Sequence, residues 1–224
     1  MTPDFSPNII DILNAAAVPH SVKVQSFGDW LIQKAPLHPS LVRGTNRGIY
    51  TLLRRKIKVK ASLDNLHKID DDGCILDVVM EDSPKELARH LPIWLNAHGR
   101  VLKTGLGLGC VVRGLLKNPA VRWIDVIEID ADIIRVIGKE FRNNPRVNII
   151  HADALTYQPA AGTFWDFIWH DIWTPENEGL QAHHMNMIRS YDAFSGRQGA
   201  WQLPRWAKKL AAIKRYPILE ARAA

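Results

Sequence analysis

Between positions 99 and 171 short apolar runs alternate with stretches of helical period. Val101-Leu102-Lys103-Thr104 opens the series and runs into Gly105-Leu106-Gly107-Leu108-Gly109. The second run is Ile124-Asp125-Val126-Ile127-Glu128-Ile129-Asp130. The third, Val147-Asn148-Ile149-Ile150, ends in His151-Ala152-Asp153, and the fourth, Asp166-Phe167-Ile168-Trp169, ends in His170-Asp171. Runs of this length, bounded by glycine or acid, predict buried parallel strands. Between them Val111, Val112, Leu115 and Leu116 share one helical face, stopped by Asn118-Pro119. Ile133, Ile134, Ile137 and Phe141 share another, over 131–141. Such alternation requires right-handed crossovers. The fold class expected is α/β, with a doubly wound, mostly parallel, Rossmann-like sheet that is short at its C-terminal end and preceded by a small β-containing region.

Outside that stretch the pattern is weaker. Ser6-Pro7 is a start signal, and Ile9, Ile10, Leu13 and Ala17 predict one short helix. Residues 33–48 read as loop. Residues 49–60 read as strand at both ends, Asp70-Asp71-Asp72-Gly73 as a turn and Ile75 to Met80 as strand, giving an antiparallel unit over 48–81. Ser83-Pro84-Lys85-Glu86 predicts a helix start: a Ser cap, a proline where its missing N–H does no harm, and a glutamate that completes a capping box. Leu87, Leu91, Trp94 and Leu95 form its apolar face, Pro92 kinks it, and His98-Gly99 ends it. Helix is expected over 176–194, a short fifth strand at Gly199-Ala200-Trp201, and a basic amphipathic helix from Pro204 to Tyr216. The organisation expected is 1–95 as N-terminal helix, β unit and lead-in helix, 96–203 as the Rossmann-like sheet, and 204–224 as the basic helix.

Composition narrows the classes. A chain of 224 residues buries one good core. Lys plus Arg number 29 against 23 Asp plus Glu, a net charge of +6 that permits an anionic partner without demanding one. Cys74 and Cys110 make neither a disulfide framework nor a ligand cluster, so no metal is expected. The opening residues contain no secretory apolar stretch, and no apolar run nears the roughly 18 residues that span a bilayer, so a cytoplasmic protein without a membrane partner is expected. Arg54, Arg55, Lys56, Lys58 and Lys60, and Arg205, Lys208, Lys209, Lys214 and Arg215, read as solvated faces or as contacts to nucleic acid.

The strand tips carry the chemistry. Gly105, Gly107 and Gly109 stand at alternate positions, whereas a dinucleotide pyrophosphate wants G-x-G-x-x-G. Alternate spacing suits a nucleoside without phosphates, which favours S-adenosylmethionine over NAD. Glu128, nineteen residues after Gly109, can accept hydrogen bonds from both ribose hydroxyls. Asp130 reads as a cap for the next helix. Asp153 can accept from the adenine amino group and Ala154 can offer its backbone amide to a ring nitrogen; a turn or cap role for Asp153 is the alternative. Asp171 stands at the reactive end, where it binds, orients or deprotonates an acceptor. His170 points to the opposite face if the strand continues, so one of the two reaches substrate and His170 can equally sit in the core. Trp173 lies beyond the strand tip, placed to stack on substrate.

Over residues 75–175 the chain resembles the class I S-adenosylmethionine-dependent methyltransferase superfamily and, within it, the spermidine-synthase-like group. His90-Leu91-Pro92 precedes Gly99-Arg100-Val101-Leu102 in that group's order, Glu128-Ile129-Asp130 matches its Glu-Ile-Asp, Ala152-Asp153-Ala154 its Gly-Asp-Ala, and Asp171 its strand-ending catalytic acid. Three departures stand out. Ser83-Pro84-Lys85 replaces a Tyr-Gln pair, Asp171-Ile172-Trp173-Thr174-Pro175 lacks the second acid of Asp-Ser-Ser-Asp-Pro, and Lys103 stands where many methyltransferases place an acid. No Asn-Pro-Pro-Tyr signature of base methylation follows the fourth strand. The resemblance implies group transfer from S-adenosylmethionine, most simply methyl transfer. Aminopropyl transfer from decarboxylated S-adenosylmethionine, a non-catalytic nucleoside-binding protein and an NAD-linked enzyme are the alternatives. A small-molecule acceptor is expected ahead of nucleic acid, which the basic patches leave open, as is a homodimer.

Overall fold

The structure, a computed structural model, describes residues 9–37, 48–59, 73–173 and 181–201. Strands β5 (Gly99–Thr104), β6 (Val121–Glu128), β7 (Val147–His151), β8 (Phe167–His170) and β9 (Gln198–Ala200) form a five-stranded sheet in the order β7-β6-β5-β8-β9. Every neighbouring pair in it is parallel. The chain lays down β5, moves outward through β6 to β7, then returns to the far side of β5. The topological switch therefore falls between β5 and β8, where open α/β sheets bind ligands at their carboxyl ends. Val101, Leu102, Ile124, Val126, Phe167 and Ile168 are buried, as strands covered on both faces require. Helices α4 (Cys110–Lys117) and α5 (Ala131–Val136) supply the first two crossovers, and α6 (Gln181–Ser190) precedes β9.

A second sheet comes first in the chain: β1 (Gln25–Phe27), β2 (Trp30–Pro36), β3 (Ile49–Lys58) and β4 (Cys74–Glu81), antiparallel and in sequence order. The antiparallel unit expected over 48–81 is there as β3 and β4, paired Leu53 to Met80 and Lys56 to Leu76, with a bulge between Leu53 and Arg54. Residues 33–36, read from sequence as loop, are instead the end of β2. Trp30 and Ile32 face inward while Gln33 is exposed, and the inward run is too short to register as alternation. One apolar core joins the two sheets, with Ile32 and Leu53 in the same cluster as Val101, Val112 and Ile124. Polar ties hold the segment around residues 16–18 to both halves. The Val18 amide donates to Asp82 at 2.7 Å, and Arg113 donates to the Ala16 carbonyl at 3.2 Å.

Helix α1 (Ile9–Ala16) buries Ile12 and Ala16, whereas Ile9 and Ile10 are 44% and 46% exposed, so its inward face is rotated from the one the sequence suggests. Ser83 caps α2 (Pro84–Ala88) by accepting from the Glu86 amide. Glu86 does not close the capping box: its oxygens accept from Arg89 at 2.7 Å and from Trp201 at 2.8 Å. Pro92 divides the lead-in helix as expected, the second half being α3 (Leu91–Asn96). The helix expected over 131–141 tightens after Val136 into a 3-10 turn, Gly138–Glu140, where Gly138 passes close to Ile149. None of the described helices is long and apolar enough to cross a membrane. The Ser6-Pro7 signal, Asp70 to Asp72, Thr174-Pro175 and the basic helix 204–216 lie outside the described residues.

Candidate functional site

A cavity of about 860 Å³ opens at the carboxyl ends of β5, β6 and β8 and the residues following β7. Its floor is the parallel sheet. Its roof comes from the N-terminal sheet, through Trp30, Leu53, Arg55, Val79 and Met80. Asp153, Glu128, Gly105 and Asp171 all line it. Asp153 follows β7, Glu128 ends β6, Gly105 follows β5 and Asp171 follows β8, so they stand in sheet order. Three strand spacings make that row about 14 Å long.

The glycine loop fits because side chains are excluded from it. Gly105 has φ +79°, and a Cβ there would lie 2.3 Å from the Asp171 carbonyl oxygen. Gly107 has φ +53°, and a Cβ there would meet the Met80 sulfur at 2.5 Å. That sulfur is also 3.1 Å from the Leu108 amide, so β4 rests directly on the loop. Gly109 opens α4 against Phe141 and is not among the cavity's lining residues.

Glu128 is 8% exposed. Its Oε2 accepts from the Leu106 amide at 2.6 Å and its Oε1 from the Asp130 amide at 2.9 Å. A carboxylate offers about four acceptor sites, so each oxygen retains capacity toward the cavity. Asp130 caps α5 through Oδ1, as expected, and its Oδ2 accepts from the Trp30 indole at 2.9 Å. Asp153 accepts from the Leu155 amide at 2.9 Å, and Ala154 lines the cavity while its carbonyl accepts from Tyr191 at 2.8 Å. A row of acceptors beside a loop closed to side chains fits an adenosyl nucleoside.

Beyond the glycines the site turns ionic. Lys103, 2% exposed, pairs with Asp171 at 3.0 Å and donates to the carbonyls of Thr104 at 2.9 Å and Gly105 at 2.7 Å. Burial raises the Glu86 carboxyl above its ordinary pKa, against the opposing Trp201 hydrogen bond and Arg89 charge; Asp171 and Glu81 add to the rise. His90 also lines the cavity. It is 1% exposed, packs its ring against Trp94 and Trp169, and its Nδ1 has no hydrogen-bond partner among the described residues. Burial pushes its pKa down to about 4, with Lys103 and Arg89 assisting and Asp171 opposing. Trp173 lines the wall and stacks on His184 with ring centres 3.7 Å apart.

His170 departs from its expected substrate contact. It is fully buried and outside the cavity lining, bonded to Gln198 at 2.9 Å, with burial holding it neutral at a pKa of about 4. Strand β8 runs through residue 170, which turns consecutive side chains to opposite faces and leaves Asp171 on the cavity side. Sequence reasoning missed the roof altogether, since nothing local marks Trp30, Arg55 or Met80 as cavity residues. It met His90 only as part of a His-Leu-Pro segment, although a histidine directly before a proline-opened helix and the glycine strand was a usable signal. Among the described residues no group of acids, histidines and cysteines could hold a metal ion.

No family model matches the chain. Over 58 residues it is 38% identical to a ribosomal RNA small subunit methyltransferase A of Pseudomonas savastanoi pv. phaseolicola, a stretch covering 26% of this chain and 21% of that protein. Over 89 residues it is 33% identical to spermidine synthase 2 of Arabidopsis thaliana, 36% of this chain and 26% of that protein. The chain thus spans about a fifth to a quarter of the length of the curated relatives it matches. Among solved structures, the 23S rRNA methyltransferase ErmE superposes on 46% of this chain, and 40% of its own, at 22% identity and a TM-score of 0.36. An overlap of that extent assigns no activity.

Proposed function

We propose that the chain binds S-adenosylmethionine along the row of strand tips and transfers its methyl group to an acceptor held beside Asp171. The observation that carries this reading is that Asp153, Glu128, the glycine loop and Asp171 line one cavity in sheet order. In it Asp153 and the Ala154 amide receive the base, Glu128 the ribose hydroxyls, and Gly105 and Gly107 let the backbone approach the sulfur-bearing tail. When bound, the cofactor supplies an already activated methyl group. The protein's task is then positioning, which can contribute roughly 7–11 kcal/mol to a barrier. Asp171, fixed by Lys103, orients the acceptor, Trp173 walls its pocket, and the roof from β4 and Trp30 excludes water. Six carboxylates and four cations line the cavity, a negative balance that suits a sulfonium.

For the acceptor, the ribosomal RNA methyltransferases among the relatives support a nucleic acid, and nothing in the site favours the small molecule expected from sequence. Arg55 of β3 offers a supporting cation: it stacks over Trp30 at 5.3 Å and lines the cavity. Isothermal titration with S-adenosylmethionine, its decarboxylated form and NAD tests the reading. Preference for S-adenosylmethionine supports it; preference for either of the others overturns it.

A further inference from the structure

Resting on the methyl-transfer reading, we infer that Tyr191 is the positioning residue of the base seat. Its hydroxyl holds the turn after β7 in the geometry that presents Asp153 and the Ala154 amide to adenine, and through that turn it sets which base the site accepts.

The seat is a turn that its own bonds leave underdetermined. It follows β7, an edge strand of the parallel sheet. The Ala152 amide donates to the Glu128 carbonyl at 3.1 Å, and the Asp153 carbonyl accepts from the amides of Thr156 at 3.1 Å and Tyr157 at 2.8 Å. None of these bonds fixes the direction of the peptide that joins Ala154 to Leu155. Two others do. Its N–H donates to Asp153 Oδ1 at 2.9 Å, and its C=O accepts from the Tyr191 hydroxyl at 2.8 Å. The peptide is planar, so turning it breaks both bonds together. By holding the carbonyl, Tyr191 also holds the N–H on Asp153. That commits one carboxylate oxygen to the turn and leaves the other for the adenine amino group.

The tyrosine is itself well anchored. Its ring packs on His170 and Trp165, with ring centres 5.2 Å and 6.4 Å away. Its amide donates to the Met187 carbonyl at 3.3 Å, and its carbonyl accepts from the Phe194 amide at 3.0 Å. Burial raises the hydroxyl's pKa above the ordinary tyrosine value, with Tyr157 and Asp153 adding to the rise, so the group stays protonated and donates. Tyr191 is 1% and Ala154 5% exposed, and a hydrogen bond in so buried a place is costly to lose. Packing alone does not call for the hydroxyl, since a phenylalanine would offer the same ring to His170 and Trp165. The hydroxyl's partner is a residue that lines the cavity.

The geometry has a chemical consequence. Adenine offers a donor, its amino group, to Asp153, and an acceptor, a ring nitrogen, to the Ala154 amide. Hypoxanthine offers the reverse, a carbonyl oxygen and a ring N–H. A seat held in one orientation turns two favourable contacts into two unfavourable ones, and a site built around hydrogen bonds rejects a ligand that leaves them unmade.

The test is calorimetric titration of the full chain and of Tyr191→Phe with S-adenosylhomocysteine and S-inosylhomocysteine. The parent is expected to prefer the adenosyl ligand about 100-fold, two hydrogen bonds at about tenfold each. Tyr191→Phe should reduce that preference about tenfold, with the change falling on S-adenosylhomocysteine. A tyrosine that only supports the fold would weaken both ligands alike, so an unchanged ratio overturns the inference, as does a parent that binds both ligands equally. If Tyr191→Phe does not fold, the parent labelled with 13Cζ-tyrosine decides. S-adenosylhomocysteine should move the Tyr191 resonance and S-inosylhomocysteine should move it less, because loading Asp153 alters its grip on the Leu155 amide and the change passes through the peptide to the hydroxyl. Equal shifts, or none, overturn the inference. A parent that binds neither ligand contradicts the methyl-transfer reading, and the inference falls with it; a parent that binds with an unchanged ratio in the variant counts against Tyr191 alone.

Discussion

Lys103 and Asp171 form an ion pair across neighbouring parallel strand ends, Nζ to Oδ2 at 3.0 Å, with the lysine side chain 2% and the aspartate 15% exposed. The lysine also donates to the Gly105 carbonyl at 2.7 Å. It ties the glycine loop to the acceptor end of the cavity. Removing one partner strands the other charge, which typically costs about 3–5 kcal/mol in a buried pair. Lys103→Met should therefore lower the unfolding free energy by about 3 kcal/mol, the low end because Asp171 keeps some solvent. Adding Asp171→Asn to it should recover much of that loss. Urea unfolding of the two variants checks both numbers, and a double variant no more stable than the single one would show that the pair is not what holds these strands' tips.

Glu128 couples ligand binding to stability. Glu128→Ala leaves the amides of Leu106 and Asp130 without their acceptors, so it should destabilise the fold by about 1–3 kcal/mol and weaken the cofactor about 10- to 100-fold. Glu128→Gln keeps one acceptor oxygen and should fall between. Thermal melts paired with calorimetric titration separate the effects. Normal affinity in the alanine variant would remove Glu128 from the site, whatever happens to its stability.

Gly107 and Met80 are the point where the two sheets meet over the site. Gly107→Ala forces a left-handed backbone on a residue with a Cβ, about 1–2 kcal/mol, and drives that Cβ into the Met80 sulfur. Adding Met80→Ala should relieve only the second part. Calorimetric melting of the single and double variants measures the division, and full recovery in the double variant would mean that backbone conformation contributes nothing there.

Acid should destabilise this protein through its buried imidazoles. His90 and His170 each have a folded pKa near 4 against an ordinary 6.5. Below 6.5 the unfolded chain takes up protons that the folded chain refuses until about 4, so this stability is whole above 6.5 and is lost as the pH falls toward 4. The loss is on the order of 3 kcal/mol per ring. Urea unfolding between pH 7 and pH 4.5 should show the fall, and His90→Phe should flatten it by about half in this range. An unchanged slope in that variant would mean that His90 takes up its proton alike in the folded and the unfolded chain.

The parallel sheet was legible from sequence because its signals are local. Val101 to Gly109, Glu128, Asp153 and Asp171 each stand at the end of an apolar run, and a strand that must be buried on both faces cannot hide its composition. Asp130 and Ser83 were legible as caps for the same reason. What escaped notice depends on distant partners. The side of β8 that His170 faces is fixed by where the strand stops. Glu86 serves Trp201, 115 residues away, in place of its own helix start. Strand β2 was hidden because only Trp30 and Ile32 face inward before the polar residues begin. Met80 and Trp30 become cavity residues only through the packing of one sheet on another, and no spacing along the chain encodes that.

The central claim is that a phosphate-free adenosyl nucleoside lies across the tips of β7, β6 and β5. Calorimetric titration of the full chain with S-adenosylhomocysteine tests it most directly. Saturable binding of one ligand per chain, weakened by Glu128→Ala and by Asp153→Ala and unaffected by His170→Phe, is the result expected. Absence of binding by the parent chain, or binding indifferent to Glu128 and Asp153, would contradict it.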